Sequence, residues 1–431
     1  MDGTLWIVQV VVIVGSFIAM IHYNLVALAS RTGGRIRKRR PDTPLRYVFM
    51  VPCLNEEAVI AATIERLLKY REQPDIWVID DGSDDATPQI VQAYAARTGR
   101  VRHMRRDLPN ARQGKGEALN ACYREMVREY TEQGIDLDHV VVCVMDADGL
   151  LDPNALQVAD RLFADPKVGG AQVAVRIRNR ETFRGRLQDI DFFVFGTILQ
   201  NGRNRIGSVG LGGNGQFTRL SALMSLGHTP WTDCLTEDLD LGLQLLIKQW
   251  RLVFTNRTAV HQEGLVAIDK LVRQRTRWVQ GQFQCWKRVP EVVRMQGSWY
   301  TKLDLVYHLL WPAMTCLLFP IAVIVAWGYF FLSMWSGEGP AVSNLPFAAL
   351  TYVIAFLPSV MVTLYYRSRS RDISLSSTIV LAHLMPLYQM MWLVAGWRAV
   401  GRMISGKNGW AKTARIGQPP SERLADTGSR A

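Results

Sequence analysis

Four long stretches with almost no charged residues constrain the fold of this chain more than any other feature of its sequence. They lie at 5–30, 303–335, 341–366 and 375–400. Each is long enough to cross a membrane as a helix, which takes roughly 20 apolar residues. We therefore predict an N-terminal transmembrane anchor within 1–30 and transmembrane helices within 303–400.

A cleaved signal peptide is the alternative for the N-terminal stretch. Such a peptide begins with basic residues, whereas here Asp2 comes first and the basic run RTGGRIRKRR follows at 31–40. Because Lys and Arg collect on the cytoplasmic side, the anchor hypothesis places the chain after residue 30 in the cytosol. Three further spans would then place the basic tail, 401–431, outside, which conflicts with the positive-inside bias. This conflict predicts that one apolar stretch lies at the interface or re-enters the membrane.

The charge distribution indicates which acidic partner the chain meets. The net charge is +12, yet residues 47–269 carry 25 basic and 30 acidic residues. The excess of positive charge flanks the apolar stretches, as expected at an anionic membrane surface, and a nucleic-acid partner is excluded on this ground. Residues 270–302 mix eight basic residues with Trp and Phe, a pattern that predicts amphipathic helices on the cytoplasmic leaflet.

The polar middle, 46–269, has the pattern of an α/β domain. The apolar runs YVFMVPCL, DIWVIDDGS, VVVCVMDAD and VGGAQVAV predict short buried strands, and helical patterns separate the first of them. This order predicts a parallel sheet that binds ligands at the carboxyl ends of its strands. The six cysteines are scattered without metal-binding spacing, which predicts buried, reduced thiols in a cytosolic domain.

Two acids follow the third of these strands. Asp146 and Asp148 occupy alternate positions at its end, where two carboxylates facing one pocket repel each other unless a cation lies between them. Mg²⁺ or Mn²⁺ held by carboxylates and substrate phosphates is the expected occupant. Solvated loop acids are the alternative. Upstream, Lys115 lies between two glycines just before a helical pattern. This arrangement is typical of an anion-binding site, and a solvated loop lysine is the alternative.

Two later segments also carry polar groups that suggest chemistry. The segment LGGNGQFTR predicts a glycine-rich loop that lets a sugar approach closely. In the next segment, Asp238 follows Thr236 and Glu237 before an apolar helix. An acid beside a phosphate pocket suits the role of a general base. The structural alternative is that these residues only cap the N-terminus of the helix. Gln274, Arg277 and Trp278 lie in the basic interfacial segment, where a plain membrane face is the alternative.

In their order, these motifs resemble those of membrane-embedded family 2 glycosyltransferases, the group of cellulose, chitin, hyaluronan and poly-N-acetylglucosamine synthases. The matching segments are VPCLNEE, DDGS, GKGEALN, the DAD at 146–148, the TED at 236–238 and QRTRW at 274–278. The resemblance implies a Rossmann-like GT-A domain on the cytosolic side of the plasma (inner) membrane, which inverts the anomeric centre of a nucleotide sugar.

The resemblance also implies residue roles. Asp80, Lys115 and Asp146 would bind the nucleotide and its diphosphate, and Asp146 and Asp148 would hold the divalent ion. Asp238 would deprotonate the acceptor hydroxyl. The processive signature would place Arg277 near the pyrophosphate, Trp278 under the acceptor sugar and Gln274 beside them.

Departures from the family limit what carries over. Leu54 stands where cellulose synthases usually have an aromatic residue, and GGNGQ replaces their cysteine-containing acceptor loop. The leading hypothesis is a processive synthase that elongates a β-linked polymer from a UDP-sugar, and the alternative is an enzyme that glycosylates a membrane lipid such as diacylglycerol or a polyprenyl phosphate. A third class, a non-catalytic scaffold, is expected to lack an acid among Asp146, Asp148 and Asp238, and all three are present.

Overall fold

The protein is seen here in a computed structural model. It describes residues 22, 25–30, 41, 43–335, 345–370 and 372–407. Most of the predicted anchor, 1–30, and most of the predicted tail, 401–431, therefore lie outside the described residues.

Strands and helices alternate as far as residue 262, and helices follow. In chain order the elements are β1 (Arg46–Cys53), α1 (Ile60–Leu68), β2 (Asp75–Asp80), α2 (Thr87–Arg97), β3 (Val101–Arg105), α3 (Lys115–Glu132), a 3₁₀-helix (Leu137–His139), β4 (Val140–Val144), β5 (Leu150–Leu151), α4 (Ala155–Phe163), β6 (Val168–Ile177), α5 (Phe183–Phe193), a π-helix (Val194–Gln200), α6 (Asn201–Ile206), β7 (Gln216–Arg219), α7 (Leu220–Met224), α8 (Glu237–Ile247), β8 (Arg251–Gln262), α9 (Ile268–Gln284), a 3₁₀-helix (Cys285–Arg288), α10 (Val289–Arg294), α11 (Trp299–Trp335), α12 (Leu345–Ser370) and α13 (Leu375–Ile404).

The strands form one mixed sheet in the order β3-β2-β1-β4-β7-β6-β8-β5. The predicted parallel arrangement holds for β1 to β4. Beyond β4 it holds only in part: β6 and β8 pair in parallel, but β7 runs antiparallel between β4 and β6 and β5 runs antiparallel to β8. The sequence assigned Gln216–Arg219 to a glycine-rich loop. Four residues with one apolar side chain give too short a pattern to predict a strand.

The sheet separates two hydrophobic cores. Along β1, Val48 and Met50 face the core beneath α3 and α8, whereas Tyr47, Phe49 and Val51 face the core beneath α1 and α4, as the period of two requires. Every residue of β2 and β4 is buried, so both strands are fixed from both sides. All six cysteines, which lie within the described chain, are buried thiols as predicted.

The helices after the sheet differ in extent from the predicted segments. The first interfacial helix, α9, begins at Ile268 rather than 270. The predicted boundary at 302/303 falls inside α11, which runs unbroken from Trp299. Among the described residues, α13 is the one helix whose length and hydropathy would suit a membrane span.

Candidate active site

Three elements bring a lysine and three carboxylates together at the carboxyl edge of the sheet. Lys115 Nζ, at the start of α3, lies 2.8 Å from Asp146 Oδ1, just beyond β4. It also lies 3.8 Å from Glu237 Oε1, on the first turn of α8. Asp238 follows on the same turn and raises the pKa of Lys115 together with Asp146 and Glu237, against the effect of burial. The lysine therefore stays cationic in this cluster.

The local structure explains why these side chains meet. Gly114 precedes α3 with φ of 119°, a conformation that favours glycine. A Cβ at Gly116 would lie 2.5 Å from the carbonyl oxygen of Thr232, so the first turn of α3 packs directly against the segment that leads into α8. On α8, Asp240 is fully buried and pairs with Arg288 at 2.9 Å, which fixes the start of the helix.

Gly213 lies between the lysine and the candidate base. Its carbonyl oxygen accepts a hydrogen bond of 2.9 Å from Lys115 Nζ. A Cβ at this position would lie 3.1 Å from both Lys115 Nζ and Asp238 Oδ2. The absence of a side chain thus leaves room between the two groups, and the close approach of a sugar to this segment stays a prediction.

Glu237 is the most perturbed acid of the cluster. It is 6% exposed, and burial together with the neighbouring Asp238 raises its pKa to about 7, although Lys115 and Arg277 act in the opposite direction. Glu237 is therefore only partly ionised near pH 7, and the adjacent Asp238 stays the predicted acceptor of the hydroxyl proton. Thr236, which the sequence suggested as an N-cap, makes no side-chain capping bond.

The raised pKa predicts a specific effect of pH on stability. The unfolded chain has a Glu237 pKa near 4.5, so between about pH 4.5 and 7 unfolding releases this proton and stability falls as the pH rises. We expect Glu237→Gln to match wild type near pH 4.5 and to be more stable at pH 8, by on the order of 2 kcal/mol. Thermal unfolding of the two proteins in detergent at both pH values tests this; an equal difference at both values would contradict it.

Asp148 follows Asp146 by two residues in the chain and is 6% exposed. Two carboxylates at one strand end form a donor set that fits a hard divalent cation, which takes its other oxygen ligands from water and substrate phosphates. Among the described residues, no group of three or more His, Cys, Asp or Glu side chains is arranged around a common metal position. The donor set therefore suits a cation that arrives with a phosphate-bearing substrate.

Asp80 lies apart from this cluster, at the end of β2. Since β2 and β4 both flank β1, the two strand ends are about 10 Å apart. Asp80 is fully buried, and its oxygens accept hydrogen bonds from Ser83 N at 2.9 Å and an Arg105 NH group at 3.1 Å. Burial alone would raise its pKa, but the nearby His103 and the hydrogen bonds from Ser83 lower it below the usual value. Asp80 is an ionised group that organises the loop at this end of the sheet.

Two residues of the interfacial signature, Arg277 and Trp278, have different surroundings on α9. Arg277 lies near the acids of the Lys115 cluster. It donates a hydrogen bond of 3.1 Å to the carbonyl oxygen of Leu235, and its charge lowers the pKa of Glu237. Trp278 instead packs against the guanidinium of Arg275, 4.2 Å from the centre of its rings, and contacts Trp392 of α13. Gln274 is half-buried on the same helix.

A glycine fixes the distance between α9 and the acidic turn of α8. A Cβ at Gly281 would lie 2.5 Å from Thr236 Oγ1 and 2.7 Å from its backbone nitrogen. Gly281→Ala must therefore displace α9 or the segment that carries Glu237 and Asp238. Because displacements of about 1 Å cost on the order of 10²-fold in rate, we expect a loss of kcat of that size.

Gly401→Ala is the matched control for this substitution. Gly401 is also helical, but nothing lies within 4 Å of a Cβ there, so the gain in helix propensity is the same without the collision. Steady-state kinetics of both variants measure the difference. Equal kcat values for the two would show that the approach of α9 does not position the acidic turn.

Two residues of the cluster were not assigned a role from the sequence. The sequence analysis named Glu237 only as a neighbour of Asp238. Two adjacent acids at the start of a helix nevertheless indicate that one of them can have a raised pKa. Gly213 was one of several glycines in a loop, and only its position between Lys115 and Asp238 distinguishes it.

Comparison with known proteins gives a consistent family. Residues 44–281 match the model described as "Glycosyltransferase like family 2". A β-monoglucosyldiacylglycerol synthase of Trichormus variabilis is 35% identical over 244 residues, which are 55% of this chain and 48% of that protein. A poly-β-1,6-N-acetyl-D-glucosamine synthase of Staphylococcus aureus is 27% identical over 238 residues, 54% of this chain and 53% of that protein. The chain thus spans about half the length of these curated relatives.

One solved structure has the same fold over most of the chain. It is the mannosyltransferase PcManGT from Pyrobaculum calidifontis, in complex with GDP-Man and Mn²⁺. The TM-score is 0.58 at 18% identity, with 89% of this chain and 99% of that chain covered. At this identity the likeness concerns the fold, which is the GT-A glycosyltransferase fold with a mixed sheet.

Proposed function

This chain belongs to the glycosyltransferase-like family 2, and on that premise we propose that it transfers one sugar from a nucleotide sugar, a UDP-sugar, to a hydroxyl group of a membrane lipid. Its enzyme class, a hexosyltransferase, follows from the family. The observation that carries the proposed chemistry is the cluster in which Lys115 contacts Asp146 and approaches Glu237. It offers cationic and anionic groups at the strand ends where a sugar diphosphate and an acceptor can meet.

In the proposed reaction, Asp238 takes the proton of the acceptor hydroxyl. The acceptor oxygen bonds to the anomeric carbon while the bond from that carbon to the diphosphate breaks, so the configuration inverts and a nucleoside diphosphate leaves. Lys115 and Arg277 stabilise the negative charge of the leaving group. Asp146 and Asp148 would hold Mg²⁺ or Mn²⁺, which neutralises charge on the diphosphate when bound. Asp80 would shape the nucleotide end of the pocket.

The surroundings of Trp278 favour a lipid acceptor over a growing polymer. The resemblance implied a tryptophan that stacks under an acceptor sugar, but here the guanidinium of Arg275 lies 4.2 Å over its rings, and Phe192 and Trp392 pack beside it. The greater identity to a glucosyldiacylglycerol synthase, 35% against 27% for the polymer synthase, supports the same choice. Elongation of a β-linked polysaccharide is the second candidate, supported by the spacing of Gln274, Arg277 and Trp278.

Product size tests the acceptor class. Membranes that contain the full chain are incubated with radiolabelled UDP-sugars, Mg²⁺ or Mn²⁺, and either diacylglycerol or a polyprenyl phosphate. We expect one labelled sugar in the organic extract, dependent on diacylglycerol, which carries a free hydroxyl. Transfer to the polyprenyl phosphate, which accepts through a phosphate oxygen, would overturn the hydroxyl acceptor. A labelled polymer that elutes in the void volume of a gel-filtration column would overturn the transfer of a single sugar. It would support the polysaccharide synthase instead. Asp238→Asn membranes provide the background.

A further inference from the structure

Two buried thiols lie side by side next to the acidic turn of α8. Cys234 Sγ is 3.5 Å from Cys285 Sγ, although the two residues are 51 positions apart in the chain. Cys234 is 5% exposed and Cys285 is fully buried. Cys234 precedes α8, which carries Asp238 on its first turn, and Cys285 directly follows α9. The pair therefore joins the two segments whose separation sets the position of the candidate base.

The surroundings of the two thiols are closely packed. Cys234 Sγ lies 3.3 Å from the carbonyl oxygen of Gly281, to which it can donate. The backbone N–H of Leu235 donates to the side-chain oxygen of Gln284 at 2.8 Å. A Cβ at Gly281 would collide with Thr236. Since α9 and the segment before α8 meet without spare room, a change in the distance between the two sulfurs must displace one segment or rotate a side chain.

The two thiols differ in their readiness to ionise. Hydrogen bonds from Cys285 and Thr236 lower the pKa of the Cys234 thiol below its usual value, against the effect of burial. The contact with Cys234, together with burial, raises the pKa of Cys285. Burial also raises the pKa of Cys122 on α3. Because the thiolate is the reactive form of cysteine, Cys234 is the nucleophile of the pair and Cys285 is its neighbouring thiol.

We propose that Cys234 and Cys285 form a reversible dithiol–disulfide site with a hydroperoxide as its oxidant. The Cys234 thiolate attacks one oxygen of hydrogen peroxide, the O–O bond breaks and a sulfenic acid forms, while hydroxide takes up the thiol proton and leaves as water. The Cys285 sulfur then bonds to the Cys234 sulfur, and the hydroxyl group leaves with the Cys285 proton as a second water. The two sulfurs lose two electrons in total, which the peroxide gains. A dithiol reductant reverses the step by exchange.

Formation of the bond changes the geometry of the acidic turn. A disulfide holds its sulfurs about 2.05 Å apart, so the present 3.5 Å contact must close by roughly 1.5 Å. Because Gly281 leaves no spare room, this closure shifts the segment that carries Glu237 and Asp238 relative to α9. A shift of about 1 Å costs on the order of 10²-fold in rate. The loss of activity rests on the proposed role of Asp238, whereas the formation of the bond does not.

Peroxide treatment of the full chain in detergent tests the bond directly. The protein is reduced, freed of reductant, exposed to hydrogen peroxide and then alkylated in denaturant. We expect two of the six thiols to be lost, and mass spectrometry to find two peptides joined through Cys234 and Cys285. Release of UDP from a UDP-sugar should fall by on the order of 10²-fold and return after addition of dithiothreitol. Absence of the joined peptides would overturn the proposal, and so would joined peptides in an enzyme of unchanged activity.

Alanine variants identify the thiols responsible, each compared with its own untreated sample. Cys234→Ala should keep its activity in peroxide, and Cys285→Ala should stop at a sulfenic acid on Cys234. Cys122→Ala, which removes another buried thiol, is the matched control and should lose the same fraction of activity as wild type. Equal loss of activity in Cys234→Ala would overturn the proposal, because another group would then be the target of peroxide. The joined peptides of wild type need neither a variant nor catalysis, so a wrong assignment of acceptor or base would not change them.

Discussion

Replacing Asp238 by asparagine is expected to lower kcat by about 10²- to 10⁴-fold, the range that a positioned general base contributes. Asparagine keeps the size and the hydrogen-bonding geometry, including acceptance of the Leu239 N–H by the side-chain oxygen at 2.7 Å, but it cannot accept the hydroxyl proton. The neighbouring Glu237, whose pKa is raised to about 7 and whose carboxyl is buried, is the alternative base.

The control for this prediction lies five residues earlier. The side chain of Asp233 is 98% exposed and pairs loosely with Lys287 at 3.8 Å, so Asp233→Asn removes the same charge without touching the cluster and should keep wild-type kcat. Release of nucleoside diphosphate measures kcat, and calorimetry measures donor binding, which Asp238→Asn should retain. If Asp238→Asn stays within tenfold of wild type while Glu237→Gln is inactive, the base is Glu237.

The sequence predicted the strand-end position of the site for a physical reason. Buried parallel strands are continuous apolar runs, and the residues that end them must lie at one edge of the sheet. That argument places Asp80 and Asp146 at the same edge without coordinates. The proximity of Lys115 to Glu237 depends on how closely α3 approaches the segment before α8, and a single residue, Gly116, permits that approach.

The sequence was less informative where polarity and periodicity conflict. β7 is short and largely polar, so its antiparallel insertion was not predictable. α13 is apolar enough to resemble a membrane span, but its partners Gln280 and Asp191 lie about 100 residues or more away in the chain. Hydropathy describes a helix alone, whereas its position depends on contacts that only the folded chain provides.

The charges of the chain divide between two tasks. The acids of the catalytic cluster lie in partly buried positions where their charge is balanced by Lys115 and, on our proposal, by a divalent cation. The basic residues Arg367, Arg369, Arg398 and Lys407, before α13 and near its end, lie in exposed positions. The net charge of +12 therefore does not describe the chemistry of the site, and on our proposal of a membrane-lipid acceptor it suits an anionic membrane surface.

Replacing Asp148 by alanine is expected to lower kcat by on the order of 10³-fold, since charge neutralisation at a transferring diphosphate contributes several kcal/mol. Asp148 lies after β4 and is not part of a strand, so the substitution removes one of two candidate cation ligands without changing a residue of the sheet. We also expect a large rise in the Mn²⁺ concentration needed for half-maximal activity, and a weaker Mn²⁺ signal bound with UDP in electron paramagnetic resonance.

Asp136→Ala is the matched control because it removes an acid near the opposite end of the same strand. Asp136 caps the 3₁₀-helix before β4 by accepting from Asp138 N at 3.0 Å, so its loss should cost about 1 kcal/mol of stability and leave the Mn²⁺ requirement unchanged. Wild-type Mn²⁺ binding by Asp148→Ala would refute the ligand assignment even if activity fell. Lost Mn²⁺ binding with a normal thermal midpoint would support it, since a folding defect would lower both.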